Sequence, residues 1–194
     1  MPRTADPGLN KRILSAAYKL WHARGDKGLT LRAVARAANT TTTTVYKRFR
    51  NREEIRLALA ELVRERLVAQ ITAAGTVEEA YRRYLSYAQK HSREYNLLAG
   101  PLWAQVLGPG RPRPAKAWLE AQLAARYGGD PADYEPFFYA LFLLSHGAAS
   151  LLAVATSHPA KKEIEENCIS ICDQLLKNVH TFRRTSRAPV AKAT

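Results

Sequence analysis

Residues 30–55 read TLRAVARAANTTTTTVYKRFRNREEI, and this stretch decides how the first part of the chain folds. Thr30 and Thr41 are residues that favour the cap of a helix, and each precedes a short run with apolar residues at helical spacing. Between the two runs lies Asn39, which tolerates the left-handed backbone conformation better than any residue except glycine. Ala35 is small enough for two helices to cross at close range. The stretch therefore predicts two short helices joined by a tight turn.

This arrangement is a helix-turn-helix, whose second helix enters the major groove of DNA by its N-terminal end. Threonine hydroxyls can donate to and accept from bases, and the threonine methyl group can contact thymine. Nearby lysine and arginine side chains add positive charge for phosphates. The candidate DNA-facing residues here are Thr41, Thr42, Thr43, Thr44, Tyr46, Lys47, Arg48 and Arg52. The alternative for Tyr46 is packing in the core, and for Lys47 it is a lysine that contacts only solvent.

The positive charge is concentrated at the start of the chain. Of a formal net charge of +13 over 194 residues, residues 1–52 carry +10 and residues 183–194 carry +4, whereas residues 53–182 carry −1. A chain this basic usually binds a polyanion, either nucleic acid or an anionic membrane surface. We expect a DNA-binding domain with a basic arm over residues 1–52, a larger helical domain with another task over residues 53–182, and a disordered basic tail over residues 183–194.

Residues 10–60 also resemble the N-terminal DNA-binding domain of TetR-type transcriptional regulators. The matching residues are Ile13, Ala16, Ala17, Leu20, Trp21, Gly28, Thr30, Val34, Ala35, Ala38, Thr41, Val45, Tyr46, Phe49, Asn51, Arg52, Glu53, Glu54 and Ile55. The sequence departs from the usual family pattern by having Asn39 for glycine, Thr40 for valine, Thr41 for serine and Arg52 for lysine. The resemblance implies that Arg32 and Arg52 contact phosphates, with Arg32 also a candidate for a base contact. It further implies an all-α fold and a homodimeric repressor that a small molecule releases from an operator in double-stranded DNA.

The domain over residues 53–182 shows helical periodicity and is rich in aromatic residues between positions 81 and 142. Aromatic side chains with few polar groups are typical of a pocket for an apolar or aromatic ligand, and the near-neutral charge argues against a strongly charged one. The candidate pocket residues are Tyr84, Tyr87, Trp103, Trp118, Phe138, Phe142 and His146. His146 lies in a Ser-His-Gly sequence that resembles a Trp-His-Gly signature of some TetR-type C-terminal domains, with Ser145 in place of tryptophan. The alternative for His146 is a hydrogen-bonded core histidine.

Two apolar segments predict a dimer interface. Residues 136–155 are apolar almost throughout, and residues 161–182 carry an apolar stripe at helical spacing. The first segment has the length of a membrane span, but Ser145 and His146 at its middle favour a core or interface helix. Two such helices from each of two chains would form a four-helix interface. The candidate interface residues are Leu144, Ala148, Leu151, Ile164, Cys168, Ile171 and Leu175.

The sequence offers no pattern for catalysis, a metal centre or a cofactor. The histidines show no paired metal-ligand spacing, and no glycine-rich phosphate loop follows a strand. The presence of only two cysteines, Cys168 and Cys172, fits a reducing, cytoplasmic environment. The alternatives for this pair are core thiols, a redox switch or a metal-binding pair. The alternative to a DNA-binding regulator is a helical small-molecule-binding or membrane-surface protein, which the threonine-rich turn with Tyr46 and Phe49 disfavours. The operator, the effector and the choice between repression and activation stay open.

Overall fold

The computed structural model describes residues 8–100, 102, 105 and 110–184 of the chain. These residues are mostly helical and include no strand, which confirms the predicted all-α fold. The helices are α1 (Leu9–Arg24), α2 (Leu31–Ala37), α3 (Thr42–Tyr46), α4 (Arg52–Thr72), α5 (Val77–Lys90), α6 (Ser92–Ala99), α7 (Pro114–Tyr127), α8 (Glu135–Val154) and α9 (His158–Lys177). Trp103, the start of the basic arm and most of the predicted tail lie outside the described residues.

Helices α1, α2 and α3 pack around a shared apolar core, and we call this unit the head. Ile13 and Trp21 of α1 are 0% and 4% exposed, and Val34 of α2 and Val45 of α3 are both fully buried. Ala35, the small residue predicted at the helix crossing, is 2% exposed. The predicted apolar positions therefore become the core of the head.

Helix α4 is a 21-residue helix that joins the head to the rest of the chain, which we call the body. Asn51 caps its first turn, because its Oδ1 accepts a hydrogen bond from the Glu54 N–H at 2.9 Å. The Glu54 carboxylate in turn accepts from the Arg50 N–H at 2.7 Å. Helix α4 contacts α1 in the head and α5, α6 and α7 in the body, so it belongs to both units.

Helix α8 is the central helix of the body and packs against α5, α6, α7 and α9. By length and composition the segment Pro131–Val154 could also cross a membrane, with a mean hydropathy of 1.8. Only 33% of its most apolar stretch is buried within one chain, because Leu143, Leu151 and Val154 face outward. Helix α8 is therefore a core helix on one face and an uncovered apolar helix on the other.

Candidate nucleic-acid interface and ligand cavity

The turn between α2 and α3 has the geometry predicted from Asn39. Among the described residues other than glycine, Asn39 alone has a positive φ, at 51°. Its N–H donates to the Arg36 carbonyl at 3.2 Å, and the Thr40 N–H donates to the Ala35 carbonyl at 2.9 Å. This pair of bonds is the common way to end a helix with a left-handed residue. The turn thus satisfies the last carbonyls of α2 and fixes the direction in which α3 begins.

In the threonine run of residues 40–44, some side chains stabilise α3 and others face solvent. Thr41 caps the helix as predicted: its Oγ1 accepts from the Thr44 N–H at 3.1 Å and lies 2.8 Å from the Thr44 Oγ1. Val45 anchors the helix in the core of the head. Thr42 is half-buried, whereas Thr43 is exposed and presents its hydroxyl and methyl groups to solvent.

The end of α3 presents an aromatic ring and a lysine. Tyr46 is 55% exposed, so it is not a core residue and the alternative of pure packing is wrong. Lys47 is also exposed. Arg48 braces the helix, because its Nε donates to the Asn10 side chain on α1 and its Nη1 donates to the Thr44 carbonyl at 3.2 Å.

The two predicted phosphate contacts flank this helix. Arg32 on α2 and Arg52 at the start of α4 are both exposed, and the Arg52 Nε lies 3.7 Å from Glu53 Oε1. No acidic side chain of the described chain lies within 4.0 Å of the cationic group of Arg32 or Lys47. The head therefore offers hydroxyl donors together with positive charge that is not neutralised, which are the groups that bases and phosphates require.

A second candidate site is a cavity of about 260 Å³ in the body. Helices α4 to α8 all contribute to its walls, which are mainly apolar side chains such as Leu67, Leu98 and Leu119. Of the predicted pocket residues, the cavity brings together Tyr84, Phe138 and Phe142. An apolar cavity with few polar groups is a common form of small-molecule site.

Other predicted pocket residues do not line this cavity. Tyr87 is 3% exposed and donates to Glu94 Oε2 at 2.5 Å, which holds its ring away from the cavity. Trp118 is half-buried against the core without reaching the cavity. For these two residues the prediction is wrong, because the sequence pattern does not reveal which aromatic ring is committed to another partner.

His146 lies one side chain behind the cavity wall. Its Nδ1 is 2.8 Å from the Tyr95 hydroxyl and 3.1 Å from the hydroxyl of Tyr84, which is a wall residue. Burial lowers the pKa of His146, so the ring is neutral at pH 7 and Nδ1 can accept from these hydroxyls. His146 is thus half-buried and hydrogen-bonded, and it contacts the cavity wall through Tyr84.

Sequence reasoning missed three cationic residues of the cavity wall: Arg64, Arg113 and Lys116. The Arg64 Nε donates to Glu61 Oε2 at 2.9 Å, and the Lys116 Nζ lies 2.7 Å from Glu120 Oε1. Because acidic neighbours compensate the charges of Arg64 and Lys116, the net charge of residues 53–182 gave no sign of them. The sequence signal for these ion pairs was their helical spacing. Glu61 lies three residues before Arg64, and Glu120 lies four residues after Lys116.

The outer faces of α8 and α9 carry part of the predicted interface. The predicted residues that keep exposed surface are Leu144, Leu151, Ile164, Ile171 and Leu175. Ala148 and Cys168 are only 8% and 3% exposed and have almost no surface left for a partner, so placing them at an interface was wrong. Leu143 and Val154, each 65% exposed, extend the apolar face and were missed.

The two cysteines lie inside the body. Their Sγ atoms are 3.9 Å apart, and the Ser145 Oγ lies 3.8 Å from the Cys172 Sγ. Both thiols are free and buried, as expected for core thiols.

Comparisons with known proteins agree with both parts of the fold. The family model described as bacterial regulatory proteins, tetR family, matches residues 13–59. The solved structure of the transcriptional regulator SCO7222, a TetR from Streptomyces coelicolor, is 20% identical with a TM-score of 0.63, covering 93% of this chain and 100% of that one. No curated protein matches the chain.

A second similar structure carries a ligand. It is FadR from Thermus thermophilus, a TetR-family transcriptional repressor in complex with lauroyl-CoA. It is 21% identical with a TM-score of 0.54, covering 92% of this chain and 98% of that one. At these identities the likeness concerns the fold, and it extends from the head through the body.

Proposed function

We propose that this chain, which is a DNA-binding transcriptional regulator of the TetR family, acts as a cytoplasmic homodimeric repressor that a small apolar or aromatic ligand releases from a palindromic operator. The observation that carries the proposal is that one long helix, α4, reaches from the DNA-binding head to the cavity in the body. Helix α4 follows α3 in the chain and packs against α1 of the head, and Leu67, Val68 and Ile71 near its end line the cavity. Occupation of the cavity and the position of the head are therefore mechanically linked.

Dimerisation supplies the operator symmetry. Two heads related by a two-fold axis read a palindrome whose half-sites lie one helical turn apart, about 34–36 Å, or a multiple of this. The outer face of α8, with Leu143, Leu151 and Val154 exposed, is the apolar surface that a second copy would cover. The interface is then the same patch on both chains.

The chemistry of the cavity supports an apolar ligand. Its walls are mainly apolar, and its volume of about 260 Å³ suits a small molecule or one end of a larger one. The lauroyl-CoA bound by FadR has an apolar acyl chain, which is consistent with this class of ligand. The cationic side chains of Arg113 and Lys116 in the wall would tolerate an anionic group on the part of the ligand that lies beside them. To empty an operator well, the ligand must prefer the released state by several kcal/mol, about 5.5 for a shift from 1:99 to 99:1.

Fluorescence anisotropy with a labelled duplex from upstream of the adjacent gene tests the DNA-binding part. We expect tight binding to a palindrome and weak, salt-sensitive binding to a scrambled duplex. Equal binding to both duplexes, together with binding to anionic vesicles, would favour the membrane-surface alternative. In vitro transcription from the same promoter then distinguishes repression from activation.

A thermal-shift screen with apolar and aromatic compounds, lauroyl-CoA included, tests the ligand part. A ligand that binds the folded body raises the Tm by mass action, and the same compound should release the duplex. A screen in which no compound raises the Tm or releases DNA would contradict the ligand-responsive part of the proposal. The DNA-binding part would stand.

A further inference from the structure

A buried carboxylate joins the head to the body at a point away from α4. Glu94 on α6 is 5% exposed. Its Oε1 accepts from the Tyr18 hydroxyl on α1 at 2.5 Å, and its Oε2 accepts from the Tyr87 hydroxyl on α5 at 2.5 Å. One carboxylate therefore holds a side chain of the head with one oxygen and a side chain of the body with the other.

The surroundings keep this carboxylate ionised. Burial by itself raises the pKa of Glu94, but the hydrogen bonds from Tyr18 and Tyr87 outweigh burial, so the pKa lies below the usual value. The Arg66 guanidinium lies 4.4 Å from the centre of the Tyr18 ring, and the His91 Nδ1 is 3.6 Å from Glu94 Oε1. Hydrogen bonds to an ionised group are short and stronger than neutral ones, so the link resists small displacements.

Helix α6 connects this link to the cavity. Arg93, next to Glu94, donates through Nη1 to the His22 carbonyl in the last turn of α1. Leu98, one helical turn beyond Glu94, lines the cavity. Tyr95 bonds the His146 ring, which also contacts the wall residue Tyr84. The eight residues of α6 thus touch the head at their start and the cavity at their end.

We propose that Glu94 is a positioning residue that fixes the head in its DNA-binding orientation and passes a displacement of α6 at the cavity to α1 through Tyr18. This inference rests on the proposed function and adds a second connection besides α4. The hydrogen bond between Glu94 and Tyr18 transmits the displacement of α6, because Tyr18 is half-buried and belongs to the head. The bond to Tyr87 stays within the body and holds Glu94 in place.

The two tyrosines provide a matched pair of variants. Tyr18→Phe and Tyr87→Phe each remove one hydroxyl from the same carboxylate, so both should lower the Tm by a similar amount. In anisotropy titrations with an operator duplex, Tyr18→Phe should weaken binding by about tenfold per head, the lower end of the effect of a hydrogen bond to an ionised group. Tyr87→Phe should stay within about twofold of the wild type. Equal DNA affinities for the two variants would overturn the proposal.

Leu98→Phe tests the connection to the cavity without a known ligand. The larger ring pushes on α6 from the cavity side, so it should weaken DNA binding in the wild-type background and have a clearly smaller effect in the Tyr18→Phe background. Additive effects of Leu98→Phe and Tyr18→Phe would overturn transmission through Tyr18.

Hydrogen exchange separates this inference from the proposed function. If the wild type shows no specific DNA binding, the proposed function fails, and exchange of the α1 amides then decides the positioning role. Tyr18→Phe should speed exchange in α1, and Tyr87→Phe should not. Equal exchange in both variants would overturn the inference. Should Tyr18→Phe fail to fold, Glu94→Gln replaces it in the comparison with Tyr87→Phe.

Discussion

Lys47→Ala should reduce the salt dependence of DNA binding as well as the affinity. Lys47 follows α3 and is exposed, and no acidic side chain of the described chain lies within ion-pair distance of it. The same is true of Arg32, and Arg48 is held by neutral partners. Arg50 and Arg52, in contrast, lie 3.9 and 3.7 Å from a glutamate. Among the cations on and beside α3, Arg32, Lys47 and Arg48 therefore remain available for phosphates in each head.

Three phosphates per head are six per homodimer, which gives a slope of about −5.4 for the logarithm of the binding constant against that of the salt concentration. Between about 50 and 200 mM KCl the affinity should fall by roughly 2,000-fold. Loss of Lys47 from both heads leaves four phosphates, a slope of about −3.6 and a fall of roughly 150-fold. If Lys47 reads a base instead, the slope stays and specific binding weakens by about 1–3 kcal/mol.

Anisotropy titrations at several KCl concentrations, with operator and scrambled duplexes, measure both quantities. Lys90→Ala is the matched control, because Lys90 is an exposed lysine at the end of α5 in the body. Its slope should equal that of the wild type. A wild-type slope shallower than about −2 would refute the phosphate count. An unchanged slope and unchanged specific affinity in Lys47→Ala would show that this lysine contacts only solvent.

Three further predictions concern the turn, His146 and the dimer. Asn39→Ala should cost about 1–2 kcal/mol in urea unfolding because φ is 51°, whereas Asn39→Gly should cost less; equal costs would contradict the left-handed turn. Burial lowers the pKa of His146, so the stability that the neutral ring contributes is present above the pKa of the unfolded state and is lost as the pH falls below that value. Between about pH 7 and 5 the Tm of the wild type should therefore drop more than the Tm of His146→Asn. Parallel drops of the two Tm values would contradict this prediction. Leu151→Glu should give folded monomers by sedimentation velocity, and a wild type that sediments as a single chain would remove the dimer.

The helix-turn-helix could be predicted because local bonds define it. Thr30 and Thr41 cap helices through hydrogen bonds to the N–H three residues later, and Asn39 supplies the left-handed residue between them. Such bonds depend only on neighbours in the chain, so residue type and spacing carry most of the information. The head was accessible from sequence for this reason.

The apolar character of the cavity could be predicted from the sequence, but the identity of most side chains that line it could not. Its walls come from five helices, and the side chains that meet there are as far apart in sequence as Arg64 and Ser145. Tyr84 and Tyr87 differ by less than one helical turn, yet one lines the cavity and the other binds Glu94. Nothing in the periodicity marks Glu94 as a buried acid, because acidic residues are mostly exposed. The choice depends on tertiary packing, which no local pattern contains.

In the proposed repressor, helix α4 is a lever whose length sets how far the head moves. Its 21 residues span about 31 Å at about 1.5 Å per residue. A rotation of about 5° around the cavity end moves the other end by about 2.7 Å over this length. Opposite movements in two chains would change the distance between the heads by about 5 Å, against a base-pair step of about 3.4 Å. In the proposed homodimer, a ligand that displaces the cavity wall by only a fraction of an ångström would shift the two heads by more than one base pair relative to each other.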